Sequence, residues 1–171
     1  TTDNKENNKE IKTEALPAKK VSDSETHQLH VVIHPDINGF GRLFGGRLLE
    51  WIDEVAGATA RRHCGRDATT VAIDNLYFKS GAYLNDIIVL IGKVTHVGHT
   101  SMEVRVDTYR EEQDGTRHPI NRAYFVMVAM GDDGQPTPVP GLILENDGER
   151  MEWDNAIKRR ELRLVRKKEG F

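Results

Sequence analysis

Between Ile37 and Cys64 the chain reads INGFGRLFGGRLLEWIDEVAGATARRHC, and it holds the groups best placed to do chemistry. Asn38 lies in a glycine-rich loop, Gly45 and Gly46 open a helix, and Asp53 sits further along that helix among apolar residues. A Gly-Gly pair at a helix start leaves backbone N–H groups open to an oxygen of a ligand. It equally allows the helix to pack closely on a neighbouring layer. A carboxylate at the edge of an apolar face is costly to bury unpaired, so Asp53 needs either hydrogen-bonding partners or a task. Asn38 is the other uncharged polar group able to aim at the same region, or it is a turn residue that caps its own backbone.

Other chemistries fail on spacing. Gly39, Gly41 and Gly45 stand one residue too far apart for a dinucleotide fingerprint, and no parallel βαβ unit surrounds them. The run GRLFGGRL places Arg-Leu where a phosphate-binding loop needs Lys followed by Ser or Thr. Histidines 27, 30, 34, 63, 96, 99 and 118 are scattered over expected strands and turns, so no metal site is expected. His63 and Cys64 are neighbours on a helix and point about 100 degrees apart, which argues against a Cys–His nucleophile.

The elements that must hold these residues follow from periodicity. Leu49, Ile52, Ala56, Thr59 and Ala60 form the buried stripe of the helix, with Glu50, Glu54 and Arg61 on the other side. Strands are expected at His27–Ile33, Ala68–Phe78, Ile87–Val97, Met102–Glu111 and Ile120–Met130, the last being the most apolar and central. One strand, a long helix and four hairpin-linked strands predict an α+β architecture, a central helix wrapped by a curved antiparallel sheet. Residues 1–26 carry both charge signs and only Ile11 and Leu16 as large aliphatics, a composition that predicts a mobile polar tail. The domain proper is placed at 27–140 and a basic helical extension at 141–171, its helix at Glu149–Lys168 with Trp153, Ile157 and Leu164 on one stripe.

The chain has 171 residues and a formal charge of -3, which gives no global pull towards nucleic acid or membrane. No apolar run is long enough for a spanning helix, and the first residues lack the apolar core of a signal peptide. A single cysteine suits a reducing, cytoplasmic setting.

The stretch HPDINGFGRLFGGRLLEWIDEVAGATARRH resembles the signature of the acyl-CoA thioesterases of the hot-dog fold. It is most similar to the group of cytosolic long-chain acyl-CoA hydrolases and their single-domain bacterial relatives. The similarity continues through TTVAIDNLYF and VTHVGHTSMEVRVDTY, covering roughly His27 to Gly131. The resemblance implies a helix within a curved antiparallel sheet, and hydrolysis of fatty acyl-CoA to free acid and coenzyme A without a further cofactor. It implies Asn38 and Asp53 as catalytic residues, the amides of Gly45 and Gly46 as the oxyanion site, and Gly98, His99, Thr100 and Ser101 in the coenzyme A channel. Relatives usually have a proline where this chain has Ser80-Gly81, so no ligand contact is carried over for Lys79 and Ser80.

In that chemistry Asp53 is base or nucleophile and Asn38 orients water or the carbonyl. Asp53 lies seven residues beyond Gly46, about 10 Å along a helix axis, whereas a reacting carbon must approach both within roughly 3.5 Å. Two antiparallel helices across a two-fold axis remove the conflict, so a homodimer that builds the site is expected, with a trimer of dimers as the relatives' further assembly. An acyl-thioester dehydratase is the weaker alternative, because no histidine lies between Asn38 and Arg62. A non-catalytic acyl-CoA sensor is disfavoured by the presence of Asp53.

Overall fold

The computed structural model describes residues 15–171. Strands β1 (Lys19–Lys20), β2 (Thr26–Val31), β3 (Asp67–Ile73), β4 (Ile87–Val97), β5 (Ser101–Glu111), β6 (Arg117–Met130) and β7 (Leu142–Ile143) alternate with helices α1 (Val21–Ser24), α2 (Gly45–Cys64) and α3 (Asp147–Glu169). The main sheet is antiparallel in the order β2-β4-β5-β6-β3, so β2 and β3 are its free edges. Helix α2 crosses its concave face, which is the hot-dog arrangement expected above. Among the described residues no helix is long and apolar enough to cross a membrane.

At Gly92 the side chains of α2 rest directly on the backbone of β4. A Cβ added to Gly92 on β4 would lie 2.4 Å from the Thr59 hydroxyl and 2.8 Å from a Val55 methyl. Thr59 is itself satisfied, donating its hydroxyl hydrogen to the Val55 carbonyl at 2.8 Å. The buried helix face is Leu48, Trp51, Ile52, Val55, Ala56, Thr59, Ala60 and His63. It packs on Met102, Val104 and Val106 of β5 and on Ala123, Phe125 and Met127 of β6. The stripe is therefore wider than its period suggests and takes Leu48 rather than Leu49 as its first fully buried member, because the curled sheet flanks the helix on both sides.

Three expectations are corrected. Residues 1–14 of the expected tail lie outside the described residues, but its later part is ordered. β1 pairs in parallel with β7, and Val21 and Ser24 are buried. The expected strand from Ala68 to Phe78 ends at Ile73. There the chain leaves the sheet and crosses to the head of α2, where the Ala82 carbonyl accepts the Leu43 N–H at 2.8 Å. The four later strands are not all hairpin-linked, since β3 pairs with β6 at an edge of the sheet, and β5 rather than β6 is central. Helix α3 buries little apolar surface: Ile157 and Leu164 are exposed, and only Ala156 is fully buried.

The convex face under α3 is polar instead. Glu103 of β5, 3 % exposed, accepts from both Arg159 Nη2 (2.7 Å) and the Thr95 hydroxyl (2.6 Å). The Arg159 guanidinium also stacks on Tyr124, 3.7 Å from the ring centre. Beyond it, Arg163 and Arg166 reach Asp74 at 2.8 Å and 3.3 Å. Trp153 packs on His96 with ring centres 4.1 Å apart.

Candidate active site

The loop before α2 is built around Asp36 and Asn38. A 3₁₀ turn at His34–Asp36 buries the Asp36 carboxylate, which accepts the Ile33 N–H at 3.0 Å and pairs with Arg47 at 3.1 Å. Asn38 Oδ1 accepts the N–H groups of Phe40 (2.9 Å) and Arg42 (3.2 Å). Backbone N–H groups only donate, so this fixes which end of the side-chain amide is oxygen. The turn reading of Asn38 is thus correct for its oxygen, while its NH₂ remains a donor for a ligand. Gly41 completes the turn at φ +71, a conformation open to glycine at little cost.

Phe44 precedes the helix without a capping side chain, and the first intrahelical bond runs from Leu48 N–H to the Phe44 carbonyl at 3.1 Å. The N–H groups of Gly45 and Gly46 come before it, at the positive end of the helix dipole, and both residues are exposed. A Cβ on Gly46 would meet the Phe44 ring at 2.6 Å, so glycine lets that ring lie along the helix head.

Asp53 does not face inwards within one chain. It is exposed on the flank of α2 next to β3, a free edge of the sheet. There the Thr70 hydroxyl donates to Asp53 Oδ1 at 2.6 Å. Thr70 is the candidate site residue that sequence reasoning missed; threonine in a β-branched run reads as a strand former, and only the fold puts it against a carboxylate. Asp53 stays about 10 Å along the axis from the Gly45-Gly46 amides of its own helix.

The turn Gly98–Ser101 is further still. It lies where β5 and β6 pair as Ser101↔Val128, beside the start of β3 at Asp67↔Met130 and hence at the C-terminal end of α2. Asn38 belongs to the other end, since β2 leads into its loop at the Val31↔Ile87 pairing. A helix of 20 residues, about 30 Å, separates them. The turn is rigid: Gly98 N–H donates to the Ser101 carbonyl (2.8 Å), and the His99 and Thr100 carbonyls accept from Val139 (2.9 Å) and Ala129 (3.0 Å).

Around the loop and helix head, Phe40, Phe44, Tyr77, Phe78 and Tyr83 are exposed, Phe40 to 89 %. A concentration of aromatic surface at one place marks an interaction site rather than a finished exterior. Among the described residues no three His, Cys, Asp or Glu side chains are grouped to hold a metal.

The sequence matches the thioesterase superfamily over residues 40–116. It is 35% identical over 134 residues to an uncharacterized acyl-CoA thioester hydrolase of Bacillus subtilis, covering 78% of both chains. The chain belongs to the acyl-CoA thioester hydrolases of the thioesterase superfamily. Its fold overlays that of an apo-hexameric acyl-CoA thioesterase with a TM-score of 0.84 and 37% identity, covering 88% of this chain and 97% of the other. It overlays an acyl-CoA hydrolase of Staphylococcus aureus, in complex with butyryl coenzyme A, coenzyme A and coenzyme A disulfide, with a TM-score of 0.85 and 32% identity over 90% and 94% of the two chains. Alanine variants of that hydrolase have been made at an asparagine, an aspartate and a threonine, separated by the same intervals as Asn38, Asp53 and Thr70 here. This thioesterase chain also aligns with 40% of the length of the rat cytosolic acyl coenzyme A thioester hydrolase, at 29% identity.

Proposed function

We propose that the chain hydrolyses acyl-CoA thioesters in a site shared between two copies. The observation that carries this reading is the Asp53–Thr70 pair at 2.6 Å, set on an open sheet edge and in the same sequence intervals with Asn38 as the variant positions of the staphylococcal hydrolase. A second copy packed antiparallel against the β3 edge brings its own loop and helix head towards Asp53, and covers the exposed aromatic surface. The same operation moves the Gly98–Ser101 turn from the far end of one helix to the neighbourhood of the other chain's Asn38. The hexameric relative fits three such dimers, and the cytosolic rat relative fits a cytoplasmic setting.

In the reaction, the acyl carbonyl oxygen lies against the Gly45 and Gly46 N–H groups, with the Asn38 NH₂ as a further donor. Asp53 removes the proton of an attacking water, or attacks the carbonyl carbon itself, while Thr70 holds the carboxylate in one orientation. With Asp53 as base, the tetrahedral adduct collapses by breaking the C–S bond, and the thiolate of coenzyme A takes up the proton that Asp53 removed from water. With Asp53 as nucleophile, the same collapse leaves a mixed anhydride on Asp53, and water cleaves it to free acid and supplies the proton to the thiolate. Donors fixed before the charge develops lower the barrier without reorganising.

The test is release of free thiol from a panel of acyl-CoAs, with Asp53→Ala lowering turnover by about two to four orders of magnitude. Tight acyl-CoA binding with no thiol released at any chain length would transfer the protein to the sensor reading.

A further inference from the structure

Resting on that reading, we propose that the cavity at the head of α2 receives the acyl chain, and that Ala82 and Ile120 set the length it accepts. The cavity measures about 350 Å³ and opens beside Asn38 and Gly45, the two groups that would hold the thioester carbonyl. Its lining combines Leu43, Leu48, Phe78, Ala82 and Ile120 with the exposed polar side chains of Arg42, Lys79 and Ser80. Exposure falls from mouth to floor: Phe78 is 50% exposed, Ala82 3%, Leu48 2% and Ile120 1%. A chain whose carbonyl sits at this mixed mouth meets apolar surface where the lining is buried, at Ala82, Leu48 and Ile120.

The floor cannot recede. The Ala82 carbonyl is held by Leu43 N–H and the Ile120 carbonyl by Lys79 N–H, each at 2.8 Å. The Ser80 hydroxyl is also committed to structure, donating to the Pro119 carbonyl at 3.3 Å. A dry cavity of about 150 Å³ takes benzene, so on that scale this one takes roughly a dozen carbons. Each methylene buried before the floor is reached is worth about fourfold in kcat/KM. Beyond the floor the gain stops, because further carbons stay in water or press on fixed backbone.

The experiment measures kcat/KM for saturated acyl-CoAs from short to long chains on the full-length protein and two variants. Wild type is expected to rise with length and break at about a dozen carbons. Ala82→Leu fills the floor and should move the break to shorter chains. Ile120→Ala deepens the cavity and should move the break to longer chains. Two results overturn the proposal: a wild-type profile that keeps rising through the longest chains, or variants whose profiles scale uniformly without moving the break. The wild-type profile decides even if a variant fails to fold. Failure of the hydrolase reading itself looks different, since no chain length would then yield thiol.

Discussion

Asn38→Ala and Asp53→Ala proteins, each nearly inactive alone, should recover activity when unfolded together and reassembled. Asp53 sits about 10 Å along the axis from its own Gly45-Gly46 amides, and the proposed site takes the loop from one chain and the carboxylate from another. In either pure variant every site has one lesion. In a random mixture of equal amounts, a site is whole only when its loop comes from an Asp53→Ala chain and its carboxylate from an Asn38→Ala chain. Each choice has even odds, so about a quarter of sites are intact, and two-fold symmetry places the complementary double lesion at the other site of the same dimer. The figure does not change if dimers assemble into hexamers, because it counts sites and not particles. The assay is thiol release per chain after reassembly, with mixed particles confirmed by native mass spectrometry. No recovery in confirmed mixed particles would refute the shared site, since a site built within one chain cannot be repaired by another.

Thr70→Val keeps the shape of the strand but removes the hydrogen bond to Asp53, and kcat should fall about tenfold at nearly constant KM, with Thr70→Ser restoring it; a change under twofold would make Thr70 a bystander. Gly92→Ala forces a Cβ into the contact with Thr59 and Val55 and should destabilise the fold by about 1–3 kcal/mol, read as a lower urea midpoint at unchanged slope. His63 is fully buried, its Nε2–H donates to the Pro140 carbonyl at 2.9 Å, and burial pushes its pKa below the ordinary 6.5. The folded chain then binds fewer protons than the unfolded one, so this contribution is complete above pH 6.5 and is lost as pH falls below it. His63→Gln should flatten the loss of stability on acidification, measured by denaturant titration across that range; an unchanged slope would shift the effect to His30 and His96, which burial also depresses. Arg159→Ala leaves the Glu103 carboxylate under α3 with a weakened shell and should cost about 3 kcal/mol, and a loss below about 1 kcal/mol would show that Arg163, 3.5 Å away, takes its place.

What the sequence shows and hides can be traced residue by residue. The strands and the long helix were legible because their apolar periods, 2 and 3.6, are local properties of the chain; the sheet order was not, because β3 pairs with β6 instead of forming a hairpin with β4, and β5 rather than β6 takes the centre. The orientation of Asp53 was not, because the buried arc of α2 is set by a sheet that curls round it and takes in Leu48, Trp51, Val55 and His63 as well as the expected stripe. The departure of the chain from β3 after Ile73 was hidden by NLYF, whose aromatics read as strand while Phe78 in fact closes over Gly45. Thr70 was hidden because its hydrogen-bond partner Asp53 is near only after folding. The docking of α3 was hidden because the stripe of Trp153, Ile157 and Leu164 does not say what lies beneath it, and that face is polar at Glu103, Arg105 and Asp107.

The polar seam under α3 makes the whole and the part behave oppositely. Removing Arg159 alone leaves a carboxylate shut away from solvent. Removing the helix entirely opens Glu103 to water, which hydrates it, and uncovers a surface with little oil to hide. Loss of the whole appendage is then the gentler injury and loss of one of its side chains the harsher one. A lineage can shed, lengthen or replace this segment as a unit more easily than it can edit the ion network one position at a time.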